Sequence, residues 1–189
     1  EEKLQDFPSA VDAQLRIIEE SGLDAARIVA LRRLYAQTEQ FAQLYGMLGD
    51  YVGVLESDEE LIDIQLELAE LAMEHLSDPE GAIDHLRTVL SVQQDHVSAR
   101  MGLESLLENE VVRSDAARVL QGVYQTLERW TDLVVALETL IADESDEENK
   151  RLLLEQLGQV LTDNVDDPAR ALSVYGVLLE SFSSEQDYL

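Results

Sequence analysis

Between Leu61 and Leu76 the apolar residues recur at helical spacing and fill a wide arc. At about 100° per residue, Leu61, Ile64, Leu68, Leu71 and Ala72 merge with Ile62, Leu66, Ala69, Met73 and Leu76 into one apolar sector roughly 220° wide. A helix resting on a single core surface needs less, so the pattern predicts neighbours on two sides, as in stacked helical layers. Asp63, Glu67, Glu70 and Glu74 form the remaining face as one acidic stripe, while Gln65 and His75 are polar misfits within or beside the apolar sector.

Helical periodicity continues through the rest of the chain. Three prolines and nine glycines interrupt it, and no run of clean apolar/polar alternation is flanked by turn residues. The fold class is therefore all-α. About ten helices are predicted, near residues 8–20, 24–37, 39–55, 58–76, 79–92, 96–108, 112–127, 130–142, 146–163 and 168–181.

The chain also resembles itself at long range. Asp78-Pro79 returns as Asp167-Pro168, a spacing of 89 (168 − 79). Tyr35 returns as Tyr124, and Phe41 with Leu44 and Leu48 as Trp130 with Leu133 and Leu137, all at the same spacing of 89. Asp24-Ala25-Ala26-Arg27 returns as Asp115-Ala116-Ala117-Arg118 at 91, and the tetrapeptide SDEE stands at Ser57 and again at Ser145, 88 residues on. One helical-repeat domain over residues 1–189 is predicted, with a long repeat at roughly 8–95 and 96–184. A chain that starts without Met reads as a piece of a longer protein.

These recurring motifs read as helix starts. SDEE has the S-x-x-E form of a capping box, in which Ser57 and Ser145 would each accept from a free backbone N–H and the glutamate three residues on would reach back. Asp78 and Asp167 can cap as well, because a proline in the first helical position forfeits no intrahelical bond.

Together these residues resemble tetratricopeptide repeats. The pattern W-x2-L-G-x2-Y, then A-x3-F, then P, is matched in part by Leu154, Leu157-Gly158 and Leu161 followed by Ala171 and Tyr175. An earlier copy has Leu68-Ala69 and Ala72 followed by Ala82 and Leu86, and Tyr35 and Tyr124 take the tyrosine place. The terminal proline and the tryptophan of the pattern are missing, and the Asp-Pro copies carry one extra residue between helices. The resemblance is to a divergent array of the kind found in long bacterial repeat proteins. It implies an α-solenoid, a right-handed superhelix of antiparallel helix pairs, whose first helices line a concave face for a peptide or protein. Candidate partner-binding residues on that face are Arg33, Glu70, Glu74, Arg118, Gln125, Glu155, Gln159 and Asp163. Members that hold a carboxylate tail use lysine and asparagine there. The only lysines here, Lys3 and Lys150, lie outside that surface, which points away from an acidic ligand.

Composition narrows the function further. Forty acidic against 13 basic residues give a formal net charge of −27, which opposes binding to nucleic acid or an anionic membrane and favours a basic protein or peptide, or a saline milieu. No cysteine is present, so no disulfide, thiolate metal site or cysteine nucleophile can form. No apolar run approaches the roughly 20 residues of a membrane-spanning helix, so direct membrane insertion is not expected; the compartment stays open, with the cytoplasm as default. His75, His85 and His96 lack metal-ligand spacing, and His85 and His96 are expected at helix surfaces or ends. No phosphate loop or nucleophile elbow occurs, so neither a catalytic residue nor a metal or cofactor is assigned. The leading expectation is a non-enzymatic scaffold or adaptor. An architectural or self-assembling segment, which would make a homo-oligomer, comes second, and a carboxylate-based hydrolase third.

Overall fold

The computed structural model describes residue 13 and residues 25–182. The predicted helix at 8–20 lies outside the described residues except for Ala13, which is helical. Regular structure among the described residues is entirely helical, and the protein is all-α. The helices are α1 (Ala25–Gln37), α2 (Phe41–Val52), α3 (Asp58–Leu71), α4 (Pro79–Val92), α5 (Val97–Leu106), α6 (Arg113–Thr126), α7 (Trp130–Asp143), α8 (Glu147–Asp163) and α9 (Pro168–Phe182). A π-helical turn, Ala72–Leu76, extends α3.

The chain divides into two compact units, Glu1–Val92 and Gln93–Leu189. In the first, α1 packs on α2, α2 on α3, and α3 on α4. Ile28, Leu31, Tyr35, Leu44, Leu48, Tyr51, Ile64, Leu68 and Leu71 form one buried cluster there, with Phe41 and Tyr45 packed against it. In the second, α5 through α9 each pack on their sequence neighbour. Leu103, Leu120, Leu133, Leu137 and Leu161 are fully buried in it. Burying a leucine contributes about 1.5–3 kcal/mol, so these rows dominate the stabilisation of each layer.

Among the described residues, four chain reversals use a non-glycine residue in the left-handed region: Glu39, Ser77, Glu128 and Asp166, with φ of 54°, 54°, 55° and 57°. Such residues are disfavoured by about 1–2 kcal/mol relative to the right-handed region, so the surrounding bonds must hold them. Gln40 N–H donates to Tyr35 O, and Arg129 N–H to Tyr124 O, each at 2.9 Å and each reaching five residues back. Asp78 N–H reaches six residues back to Ala72 O, and Asp167 N–H to Leu161 O, again at 2.9 Å. The extra residue before each Asp-Pro is accommodated in this wider closure. Both pairs of left-handed residues are 89 apart (128 − 39 and 166 − 77).

Asp78 and Asp167 cap as expected: Asp78 Oδ1 accepts from Gly81 N–H at 2.9 Å, and Asp167 Oδ1 from Arg170 N–H at 3.1 Å. SDEE requires a correction. Ser57 is the N-cap of α3 and accepts from Glu60 N–H at 3.4 Å, but Glu60 does not complete the box; its Oε1 accepts from the Tyr51 hydroxyl at 2.7 Å. In the second copy the cap is Asp146, which accepts from Asn149 N–H at 2.8 Å, and Ser145 stands one residue before it. Ser57 and Asp146 are 89 apart (146 − 57), so helix register, and not the tetrapeptide, is what repeats.

A close helix crossing recurs with its side chains redistributed. A Cβ placed on Gly158 would stand 2.7 Å from the Tyr175 ring, so tyrosine occupies the space that glycine leaves. At the matching positions of the first unit stand Ala69 and Leu86, both buried.

Two substitution sets test this account. Asp146→Ala should lower stability by about 1 kcal/mol and Ser145→Ala by no more than about 0.5 kcal/mol in denaturant titration, the reverse of what the motif suggests. Gly158→Ala should gain about 1 kcal/mol of helix propensity beside Tyr175→Leu, yet lose that gain beside Tyr175. A double-mutant cycle with no such coupling would refute the crossing.

Candidate interaction surface

In the first unit α1 is tied to α3 by Arg32 and Glu67. Arg32 Nε donates to Glu67 Oε1 at 3.1 Å, and a second guanidinium nitrogen donates to Oε2, a bidentate pair that fixes both side chains. Glu67 is half-buried; burial raises its pKa, the Arg32 charge and hydrogen bond oppose that rise, and Glu70 adds to it. At the corresponding place in the second unit Gln121 Nε2 donates to Gln156 Oε1 at 2.8 Å, joining α6 to α8. Both partners are displaced by the same 89 residues (121 − 32 and 156 − 67), so an ion pair in one unit is an amide pair in the other.

All eight candidate residues are exposed. Glu70 and Glu74 follow Glu67 at i+3 and i+7, in line with exposed Asp63, and Arg33 adjoins Arg32 on α1. Arg118 and Gln125 lie one turn either side of Gln121, and Gln159 and Asp163 follow Gln156 at i+3 and i+7. Arg118 also pairs with Asp115 at 3.7 Å. Glu155 is turned to the side of this row and accepts from Arg151 at 2.5 Å. Within each unit a cross-helix bond therefore brings most of the candidates onto adjoining stripes. Sequence reasoning passed over Arg32, Gln121 and Gln156 and saw Glu67 only as part of a stripe; their shared spacing of 89 was the available signal.

The two surfaces differ in charge. Asp63, Glu67, Glu70 and Glu74 become Leu152, Gln156, Gln159 and Asp163, so the dense acidic row belongs to the first unit alone.

A second polar cluster joins three helices of the first unit. The Tyr45 hydroxyl lies 2.8 Å from His85 Nε2, and His85 Nδ1 lies 2.6 Å from Gln65 Oε1. With Gln65 accepting at Nδ1–H, Nε2 is free to accept from tyrosine, which defines a neutral imidazole. His85 is thus half-buried and bonded on both sides, a correction to its expected place at a helix surface or end, and it also explains buried Gln65. His96 does sit at a helix end, capping α5 by accepting from Ala99 N–H at 3.3 Å. Exposed His75 stacks on Phe41 with ring centroids 3.5 Å apart. In the second unit the three positions of the Tyr45, His85 and Gln65 cluster are Val134, Val174 and Leu154.

Among the described residues no group of three or more His, Cys, Asp or Glu could hold a metal ion, and no helix is long and apolar enough to cross a membrane. No protein-family model matches the chain, and none of the curated proteins matches it either.

Burial lowers the His85 pKa below 6.5, with Asp84 and Asp78 pulling the other way. A depressed histidine means the unfolded chain takes up the proton first, so this contribution to stability is complete above about pH 6.5 and is lost as pH falls toward the folded-state value. Tyr45→Val, His85→Val and Gln65→Leu together should reduce the loss of stability on acidification from about pH 7.5 to about pH 5.5, measured by thermal melting. An unchanged loss would show that His85 does not titrate as described.

Proposed function

We propose that the chain is a non-enzymatic interaction scaffold of tetratricopeptide-like kind, an α-solenoid built from antiparallel helix pairs, and that a basic protein or peptide docks on its first unit. The acidic row Asp63, Glu67, Glu70 and Glu74 carries the reading, with Glu67 locked by Arg32 and the other three carboxylates turned to solvent. Fixed helical spacing presents these charges one turn apart, a pattern that lysines or arginines on a helix or extended segment can follow. The net charge of −27 adds long-range steering toward cations and repels acidic competitors. The matching row of the second unit keeps one carboxylate, Asp163, beside the amides Gln156 and Gln159, so selectivity for a cation is assigned to α3.

Three exposed contacts at roughly 0.5 kcal/mol each amount to about tenfold in affinity. Asp63→Asn, Glu70→Gln and Glu74→Gln together should therefore weaken binding of a lysine- and arginine-rich peptide by about tenfold in fluorescence anisotropy, and added salt should erase the difference. Neutralising Asp95, Glu108 and Glu110 instead, also exposed, removes the same charge elsewhere and should cost far less. Equal losses from both sets would reduce the effect to net charge and defeat the assignment to α3.

A further inference from the structure

Among the described residues three leucines are exposed by half or more, and two of them, Leu172 at 75% and Leu179 at 69%, stand on α9. Ala171 is buried and Tyr175 fills the space over Gly158, so these two mark the side of α9 that packs on α8. Leu172, Gly176 and Leu179, at i, i+4 and i+7, form one stripe on the adjoining side. A Cβ built on Gly176 would meet nothing within 4 Å, so the middle of the stripe lets another backbone come close. The helix is also nearly free of charge within a chain that carries −27. Arg170 and Glu180 are its only charged residues, and Arg170 is turned to Glu138 of α7, to which it donates at 2.5 Å.

We propose that α9 pairs antiparallel with α9 of a second copy of this chain through Leu172, Gly176 and Leu179. The stripe complements itself. A twofold axis passing between residues 175 and 176 sets Leu172 of each copy opposite Leu179 of the other and brings the two Gly176 backbones together at the crossing. Leucines placed equally about that axis are what a second copy requires and an unrelated partner does not. Charge selects the same occupant. The basic ligand assigned to α3 would find a single carboxylate here, Glu180, in place of a row of four. In the antiparallel pair the two Glu180 fall about 13 Å apart along the helices, beyond the Debye length of about 8 Å at physiological ionic strength. An isologous contact of this kind closes at a dimer. Four leucines and the backbone around two glycines make a small interface, about 1,000 Å² or less in total, so the dimer is weak, with a Kd on the order of 100 µM.

Sedimentation velocity of the full chain tests this. Reversible association that stops at a dimer is expected near about 0.1 mM, and it should grow between about 0.05 M and about 0.5 M salt as repulsion between the chains is screened. That salt response is opposite in sign to the one expected of a basic ligand. Leu172→Gln with Leu179→Gln should weaken the dimer by about tenfold or more without loss of helicity, since both side chains are exposed. Gly176→Leu separates pairing from stickiness: it adds apolar surface, so non-specific association would rise, whereas a pair that crosses at Gly176 should weaken by about tenfold. The chain has no cysteine, so introduced thiols report the register. Leu172→Cys mixed with Leu179→Cys should crosslink on oxidation, and neither alone should, because like positions stand about 10 Å apart along the helices. A chain still monomeric at about 1 mM, tenfold above the expected Kd, overturns the proposal. So does association that survives the leucine variant, strengthens with Gly176→Leu or grows beyond a dimer. A mixture that fails to crosslink, or Leu172→Cys that crosslinks with itself, as parallel pairing would allow, overturns it too.

Discussion

The left-handed residues that end α1, α3, α6 and α8 are the constraint on which the pairs α1–α2, α3–α4, α6–α7 and α8–α9 depend. Each of Glu39, Ser77, Glu128 and Asp166 stops a helix at a fixed residue and sends the chain back, held by a main-chain bond reaching five or six residues upstream. Where a helix stops decides where the next begins, which of its faces meets its neighbour, and which leucines are buried. These closures involve backbone atoms, so they tolerate wide changes in side chain. That tolerance explains how Ala69 with Leu86 and Gly158 with Tyr175 fill the same crossing.

Side-chain chemistry varies freely on that backbone. The bond between α1 and α3 is ionic and that between α6 and α8 is an amide pair, although both lie at equivalent places. A bidentate guanidinium–carboxylate pair and an amide–amide bond hold two helices with comparable geometry but give their surroundings different electrostatics. The first unit accordingly carries the concentrated acidic row, although acidic residues are spread along the whole sequence. The two units thus differ in surface charge while neighbouring helices pack in both.

Much of this was legible in the sequence because it depends on local rules. Helix periodicity, the aspartates before Pro79 and Pro168, and the buried Tyr35 and Tyr124 follow from spacing and from capping chemistry. The second cap was misplaced by one residue because serine and aspartate cap comparably well, so the letters alone could not choose between Ser145 and Asp146. Arg32 with Glu67, and His85 with Gln65 and Tyr45, were missed for a different reason. Their partners lie 35, 20 and 40 residues away, and only the lateral placement of helices, which local periodicity does not encode, brings them together. The exposure of the eight candidates was easier to foresee, since an apolar sector defines its polar complement.

The Tyr45, Gln65 and His85 cluster bears on which helices can pair within the first unit. Two helical units whose motifs recur at a spacing of 89 residues leave room for a helix to seat in the wrong unit. Were α4 to take the berth of α9, the imidazole would face Val134 and Leu154, neither of which can accept or donate. The reverse exchange would leave the tyrosine hydroxyl and the glutamine amide facing Val174. The polar lock of the first unit, absent at the positions 89 residues on, therefore disfavours such an exchange by leaving polar groups unpaired.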